Sequence, residues 1–146
     1  MTRLPPLWLA FFLLGCGQQE AGSLPLADVV LQGTQGDVIV RAEVAADTGA
    51  RARGLMGRQR LCDLCGMIFI FDAPVRAAMW MKNTPLPLDM AFIADGRIVH
   101  VAHGTPFDDE TVIAAPVPVE AILEVNEGRL EDWGVTVGSF VSLPAR

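Results

Sequence analysis

Hydrophobic positions fall into many short runs along the chain, and most of the runs alternate with polar residues. Residues 37–45 put Val38, Val40, Ala42 and Val44 on one face and Ile39, Arg41 and Glu43 on the other, the period of a half-buried strand. A shorter apolar run at 28–32 precedes it across the turn signal Gly33-Thr34-Gln35-Gly36, so the domain is expected to open with a hairpin. Residues 67–71 (MIFIF) are apolar without interruption, which predicts a central strand covered on both faces. Segments 77–83, 88–94 and 97–103 read as three strands in a row, 111–115 as a short one, and 120–126 and 139–143 as the last two. Helix signals are sparse. Asp47-Thr48 is a helix start for about two turns over 49–56, with Gly54 and Gly57 limiting its length, and 127–133 can form a single turn. Many short strands between Gly/Pro turns predict a mainly β domain, a compact antiparallel sandwich or barrel with one or two short helices.

The first residues follow a different pattern and are set aside from the fold. Arg3 precedes an apolar run, Leu4 to Leu14, that ends in Leu13-Leu14-Gly15-Cys16. This resembles a bacterial lipoprotein signal: residues 1–15 are removed, Cys16 is acylated, and 16–27 form a flexible tether to a single domain at 28–146. The run is too short to cross a hydrocarbon core, which takes about 20 residues. Gly17 stands where an inner-membrane retention signal would place Asp, so the expected location is the outer membrane, facing the periplasm. Without Arg3 the chain carries ten basic and 17 acidic residues, a formal charge of −7. That balance excludes nucleic acid as a partner, because neutralising phosphates needs a basic surface. Export leaves Cys62 and Cys65 in an oxidising compartment.

Turn lengths and alternation place the candidate chemistry. A two-residue Asp95-Gly96 turn pairs Ala94 with Arg97, and hence Phe92 with Val99 and Ala91 with His100. A four-residue loop at 84–87 pairs Lys82 with Asp89 and Met81 with Met90. Alternation then collects Met79, Met81, Met90, Phe92, Val99 and Val101 on a core face, where methionine is a gap-filler more often than a soft-metal ligand. The opposite face would gather Trp80, Lys82, Asp89 and His100. That face is either a surface ion pair worth ~0–1 kcal/mol or a shallow site, with Lys82 holding an anion beside a tryptophan wall. Glu124 lies between core residues Leu123 and Val125. If its side of the sheet is covered it needs a cation, for which Arg53 or Arg58 is the natural candidate.

Cys62-Asp63-Leu64-Cys65 admits a disulfide, a structural thiol pair, a redox pair or, with His100 and His103, a four-ligand zinc site. The two histidines differ in parity, so a flat strand would point them to opposite faces.

Several stretches together resemble a known family. They are Arg53-Gly54-Leu55-Met56 with Arg58, then Gly66 to Phe71, then Trp80-Met81-Lys82-Asn83-Thr84 with Pro87-Leu88-Asp89. Ile93 with the Asp95-Gly96 turn follows, and Leu123-Glu124-Val125-Asn126-Glu127-Gly128 completes the set. The ordered set is similar to domain of unknown function 192, over about residues 38–141. The resemblance implies a compact β-rich, often exported domain and brings no activity, cofactor or catalytic residue. The cysteine pair and Gly138-Ser139 depart from the family pattern. No nucleophile elbow, HExxH or phosphate-binding glycine loop occurs, and no cofactor is assigned. The expectation is a non-catalytic, membrane-anchored periplasmic domain that binds a small anionic ligand or a periplasmic protein through Trp80, Lys82 and Asp89. Its rivals are an enzyme (a hydrolase or thiol oxidoreductase) and a metal-binding or metal-delivery protein.

Overall fold

The computed structural model describes residues 23–145; the signal segment and Cys16 lie outside the described residues. β1 (Leu26–Gly33) and β2 (Gly36–Ala45) form the expected hairpin, and β1 begins two residues inside the segment expected to be tether. A helical crossover, α1 (Thr48–Arg53), then leads to β3 (Cys65–Val75), which runs parallel to β2. Parallel neighbours cannot be joined by a tight turn, so this crossover is what carries α1 over one face of the sheet.

β4 (Ala78–Met79) pairs with β7 (Ile113–Ala114) as a separate two-stranded ribbon. β5 (Leu88–Ala94), β6 (Arg97–Gly104), β8 (Val119–Asn126) and β9 (Val141–Ser142) complete the main sheet, whose order is β6-β5-β8-β3-β2-β1-β9. Its two ends meet. Arg97 bridges to Phe140, Ile98 N–H donates to Ser139 O (3.0 Å) and Val141 N–H to Gly96 O (2.9 Å). The sheet is therefore a curled half-barrel with its edges stitched together, which removes the hazard of an open edge. The antiparallel rule holds everywhere in it except between β2 and β3.

Alternation builds two cores. Val29, Leu31, Val40, Ala42, Ile68, Ala91, Ile93, Ile98, Leu123, Val125 and Val141 fill the inner one, to which all seven strands contribute, with Leu130 from α2 (Arg129–Asp132) closing an end. On the other face Met67, Phe69, Leu88, Met90, Phe92 and Ile122 pack under Ala50 and Leu55 from the α1 region and under Ala77, Met81 and Leu86. β3 and β8 are thus buried on both sides, as the uninterrupted MIFIF run predicts.

Two features differ from the expected register, each for a physical reason. The Asp95-Gly96 turn forms with both residues left-handed (φ 50° and 67°), as a type I′ turn requires. However, Ile93 pairs with Ile98 and Phe92 with His100, so Val99 is an extra residue on β6 and every earlier pair slips by one. The second difference concerns segment 77–83, which does not pair with β5. Met81 N–H bonds to Asp108 O, Thr84 N–H turns back to Met81 O, and Asn83 is left-handed at φ 54°. With Pro85 and Pro87 following, the chain crosses over the sheet instead of joining it.

Candidate functional site

β8 places one charged residue where the fold has no room for a hydrated charge. Leu123 and Val125 enter the inner core, so Glu124 points to the opposite face. In register it lies between Met67 on β3 and Met90 on β5, and α1 with segment 79–84 closes over it. Glu124 is 4% exposed. Its carboxyl has no hydrogen-bond or ion-pair partner among the described residues, and burial pushes its pKa up to about 8. At neutral pH it is therefore a neutral acid that offers one O–H donor and an acceptor.

The arginines expected to neutralise it do not. Arg58 pairs with Glu43 on β2 at 2.7 Å, which raises the arginine's own pKa. Arg53 lines the Glu124 cavity from the end of α1, is exposed, and has no partner among the described residues. The expected Arg53/Arg58–Glu124 ion pair is thus absent, because Arg58, in the loop after α1, turns to Glu43 on β2, and α1 leaves Arg53 at the rim.

α1 is fixed closely. Asp47 caps it by accepting from Ala50 N–H at 2.8 Å, and Gly54 ends it at φ 48° against the ring of Phe69. A Cβ at Gly54 would lie 3.3 Å from that ring in a conformation side chains avoid, so glycine is needed there. Arg51 reaches across to donate to Ile70 O (2.9 Å) and to Ala46 O, with its guanidinium 5.6 Å from the Phe71 ring centroid.

From the facing wall comes Trp80, 49% exposed, with Lys82 Nζ 5.3 Å from its ring centroid. Thr84 Oγ1 donates to Lys82 O at 3.2 Å and holds this turn together. The small cavity above Glu124 has a volume of ≈ 20 Å³ and is lined by Arg53, Met56, Met79, Trp80 and Thr84 among others. It shares Arg51, Phe69, Met79 and Trp80 with a groove of ≈ 310 Å³ that runs out along Phe71, Ala77 and Ala78. The whole is a cleft with an aromatic wall, cations on its rim and an acid on its floor.

The face expected from Trp80, Lys82, Asp89 and His100 does not exist. Because segment 77–83 leaves the sheet, Lys82 stays with Trp80 while Asp89 lies on the other side of β5. There Asp89 is 1% exposed, pairs with His103 Nδ1 at 2.7 Å and accepts from Leu130 N–H at 3.2 Å. The bulge at Val99 is what brings His103 opposite Asp89. His100 instead leans on Phe92, with ring centroids 5.4 Å apart. Asp89 and His103 border a second pocket, of ≈ 360 Å³, with Val101, Leu130, Val135 and Val137.

Cys62 and Cys65 are joined as a disulfide in the turn before β3. Asn126 Nδ2 donates to Leu61 O (3.0 Å) and Cys62 O (3.3 Å), which binds this turn to the end of β8. The zinc set of Cys62, Cys65, His100 and His103 is therefore not assembled, since the sulfurs bond each other and the histidines face apart. Among the described residues no group of three or more His, Cys, Asp or Glu side chains is placed to hold a metal. The sequence singles out Glu124 but predicts a cationic partner that the structure does not supply. The available signal was a lone acid inside an otherwise apolar strand, and the Asp89–His103 pair had no signal at all.

Residues 29–143 match the model of DUF192 (domain of unknown function 192), described as "Uncharacterized ACR". Nothing among the curated proteins matches. Among solved structures, a protein of unknown function from Novosphingobium aromaticivorans is 38% identical with a TM-score of 0.79, over 82% of this chain and 86% of its own. A Sinorhizobium meliloti protein, whose description suggests a transcription regulator, is 36% identical with a TM-score of 0.80, over 84% of this chain and 97% of its own. The stretches that carry the family resemblance in sequence, around Gly54, Trp80 and Glu124, converge on the cleft.

Proposed function

The chain belongs to the DUF192 family, and we propose that it is a non-catalytic binding domain that captures a small anionic ligand with an apolar body in the Trp80 cleft. The observation that carries this reading is Glu124. A buried carboxyl without a partner lowers stability, and in a cleft lined by Arg53 and Trp80 it is what a ligand site looks like before the ligand arrives. Trp80 supplies a stacking wall, while Lys82 and Arg53 supply attraction for a negative charge in an otherwise acidic protein. The binding surface thus keeps Trp80 and Lys82 and exchanges Asp89 and His100 for Arg53 and Glu124.

The lipoprotein-like segment supports a tethered periplasmic location through Cys16.

 Among the described residues no helix is long and apolar enough to cross a membrane. Replacing Cys16 with Ser should move the protein from the membrane fraction to the soluble periplasmic fraction, and unchanged fractionation would remove the anchor from this reading. The regulator role suggested for the Sinorhizobium meliloti protein is not taken over, because a formal net charge of −6 opposes DNA.

The fluorescent apolar anion anilinonaphthalene sulfonate tests the cleft. It should bind the folded domain and lose at least tenfold in affinity in Trp80→Ala and Arg53→Ala. Equal affinity in all three proteins would overturn the reading. A second reading, a hydrolase, is favoured by one observation: buried Asp89 orients an exposed His103 at the mouth of a pocket. Among the described residues no serine, threonine or cysteine is hydrogen-bonded to His103, so water would have to be the nucleophile. Turnover of p-nitrophenyl acetate that disappears in His103→Ala would establish this second reading.

A further inference from the structure

We infer that the ligand of the cleft is a carboxylate with a flat apolar body, that its carboxylate bridges the Glu124 carboxyl group and the Arg53 guanidinium, and that Glu124 must carry its proton for the ligand to bind. This rests on the reading of the cleft as a binding site and goes further by fixing the chemistry of the ligand's head.

Two groups that could form an ion pair line one cavity without forming it. Glu124 sits on the floor, and Arg53 sits at the rim with no partner among the described residues. A single oxyanion can satisfy both, accepting the Glu124 O–H at its inner oxygen and the guanidinium at its outer one. Each contact is a charge-assisted hydrogen bond, the stronger kind, and the inner one forms away from water.

Cavity size selects the oxyanion. A volume of ≈ 20 Å³ admits about one water-sized group, so a planar carboxylate seats one oxygen there and turns the other to Arg53, whereas a tetrahedral phosphate leaves a further charged oxygen crowded at the mouth. The body of the ligand then lies in the adjoining ≈ 310 Å³ groove, between Trp80 and the Phe71 side. Its lining is mainly apolar or aromatic, with the Arg51 guanidinium over the Phe71 side, and the groove suits a benzene-sized ring or a short acyl chain.

The proton requirement follows from what faces Glu124. α1 contributes Arg51, whose guanidinium is held by Ala46 O and Ile70 O, and Arg53. β3 and β5 contribute Met67 and Met90, and segment 79–84 contributes Met79 and Thr84, none of which titrates near neutrality. Lys82 stands outside, over Trp80. Nothing else in the lining supplies an acid proton, so an ionised Glu124 would confront the ligand's carboxylate directly. Below pH 8 the proton is already in place. Above it each ligand must bring one proton into the site, and affinity falls about tenfold per pH unit.

The test uses the mature chain carrying Cys16→Ser and three probes of one body: benzoate, benzyl alcohol and phenyl phosphate. Binding is read from the Trp80 indole N–H resonance between pH 6 and pH 10. Benzoate is expected to bind at least tenfold more tightly than the other two, with affinity falling above pH 8. Glu124→Gln, whose amide donates without titrating, should weaken benzoate binding at pH 6 and flatten the pH profile, and Arg53→Ala should cost at least tenfold. Benzyl alcohol or phenyl phosphate binding as tightly as benzoate, or a flat profile in the unsubstituted protein, would overturn the carboxylate inference and leave the cleft standing as a binding site. If neither benzoate nor anilinonaphthalene sulfonate moves the Trp80 resonance, both readings fall.

Discussion

At the scale of single residues, two buried acids behave in opposite ways because their surroundings differ. Asp89 has partners on both oxygens, while Glu124 has none among the described residues. Glu124 therefore makes stability depend on pH. Its pKa is near 4.5 in an unfolded chain and about 8 in the fold, so the folded state binds the extra proton between those values. Stability is then greatest below about pH 4.5 and declines as pH rises through the window to about 8. At ~1.4 kcal/mol per pH unit the group costs on the order of 3 kcal/mol at pH 7. Glu124→Gln should accordingly raise the midpoint of thermal unfolding by on the order of 10 °C at pH 8 and by little at pH 4; equal shifts at both values would contradict a raised pKa. Asp89→Ala should act the other way. It leaves the buried Leu130 N–H without its acceptor, at a cost of ~1–3 kcal/mol visible in the urea midpoint. It should also free His103, whose replacement by Ala is expected to cost much less because the ring is largely exposed.

Elements show which parts of the structure are legible in the chain. Alternation in β2 and β8, the apolar run of β3, the cap of α1 and the Asp95-Gly96 turn are all local signals, and each element forms where its signal lies. Tertiary choices are not local. The Val99 bulge adds one residue to β6 without a sequence marker, and it alone decides that Asp89 meets His103. Segment 77–83 has the composition of a strand, yet it pairs with β7 only at Ala78–Met79 and beyond that bonds to the 105–108 loop, to Gly57 and to its own turn, so Trp80 becomes a wall of the cleft. The disulfide turn belongs to the same scale. Closing so short a loop contributes about 2 kcal/mol by chain entropy, and Asn126 transmits its position to β8. Cys62→Ser/Cys65→Ser should lower the unfolding free energy read from urea denaturation by that amount and leave the β content seen by circular dichroism unchanged; collapse of the β signal would show that the turn nucleates the sheet. Gly66→Ala is expected to be more severe, since a Cβ there would lie 2.6 Å from Glu124 O across the β3–β8 pair. A loss well above the disulfide's in the same denaturation assay is the predicted result.

For the molecule as a whole, the curled sheet separates two faces with different tasks. The inner core holds the half-barrel shut, and the outer face, under α1 and segment 77–87, gives up one apolar position to Glu124 and gains a cleft. The acidic charge of the chain keeps anionic ligands away from most of the surface, while Arg51, Arg53 and Lys82 gather beside that cleft. Family membership and fold are plain from the chain, but the site becomes visible only when the crossover and the loops are placed. The ligand chemistry proposed for the cleft depends on the protonated state of one side chain. The most direct measurement is a ¹³C carboxyl titration of Glu124 in the folded protein, assigned by the signal missing from Glu124→Gln. The predicted midpoint is about pH 8; a midpoint in the ordinary carboxylate range, near 4, would contradict the account.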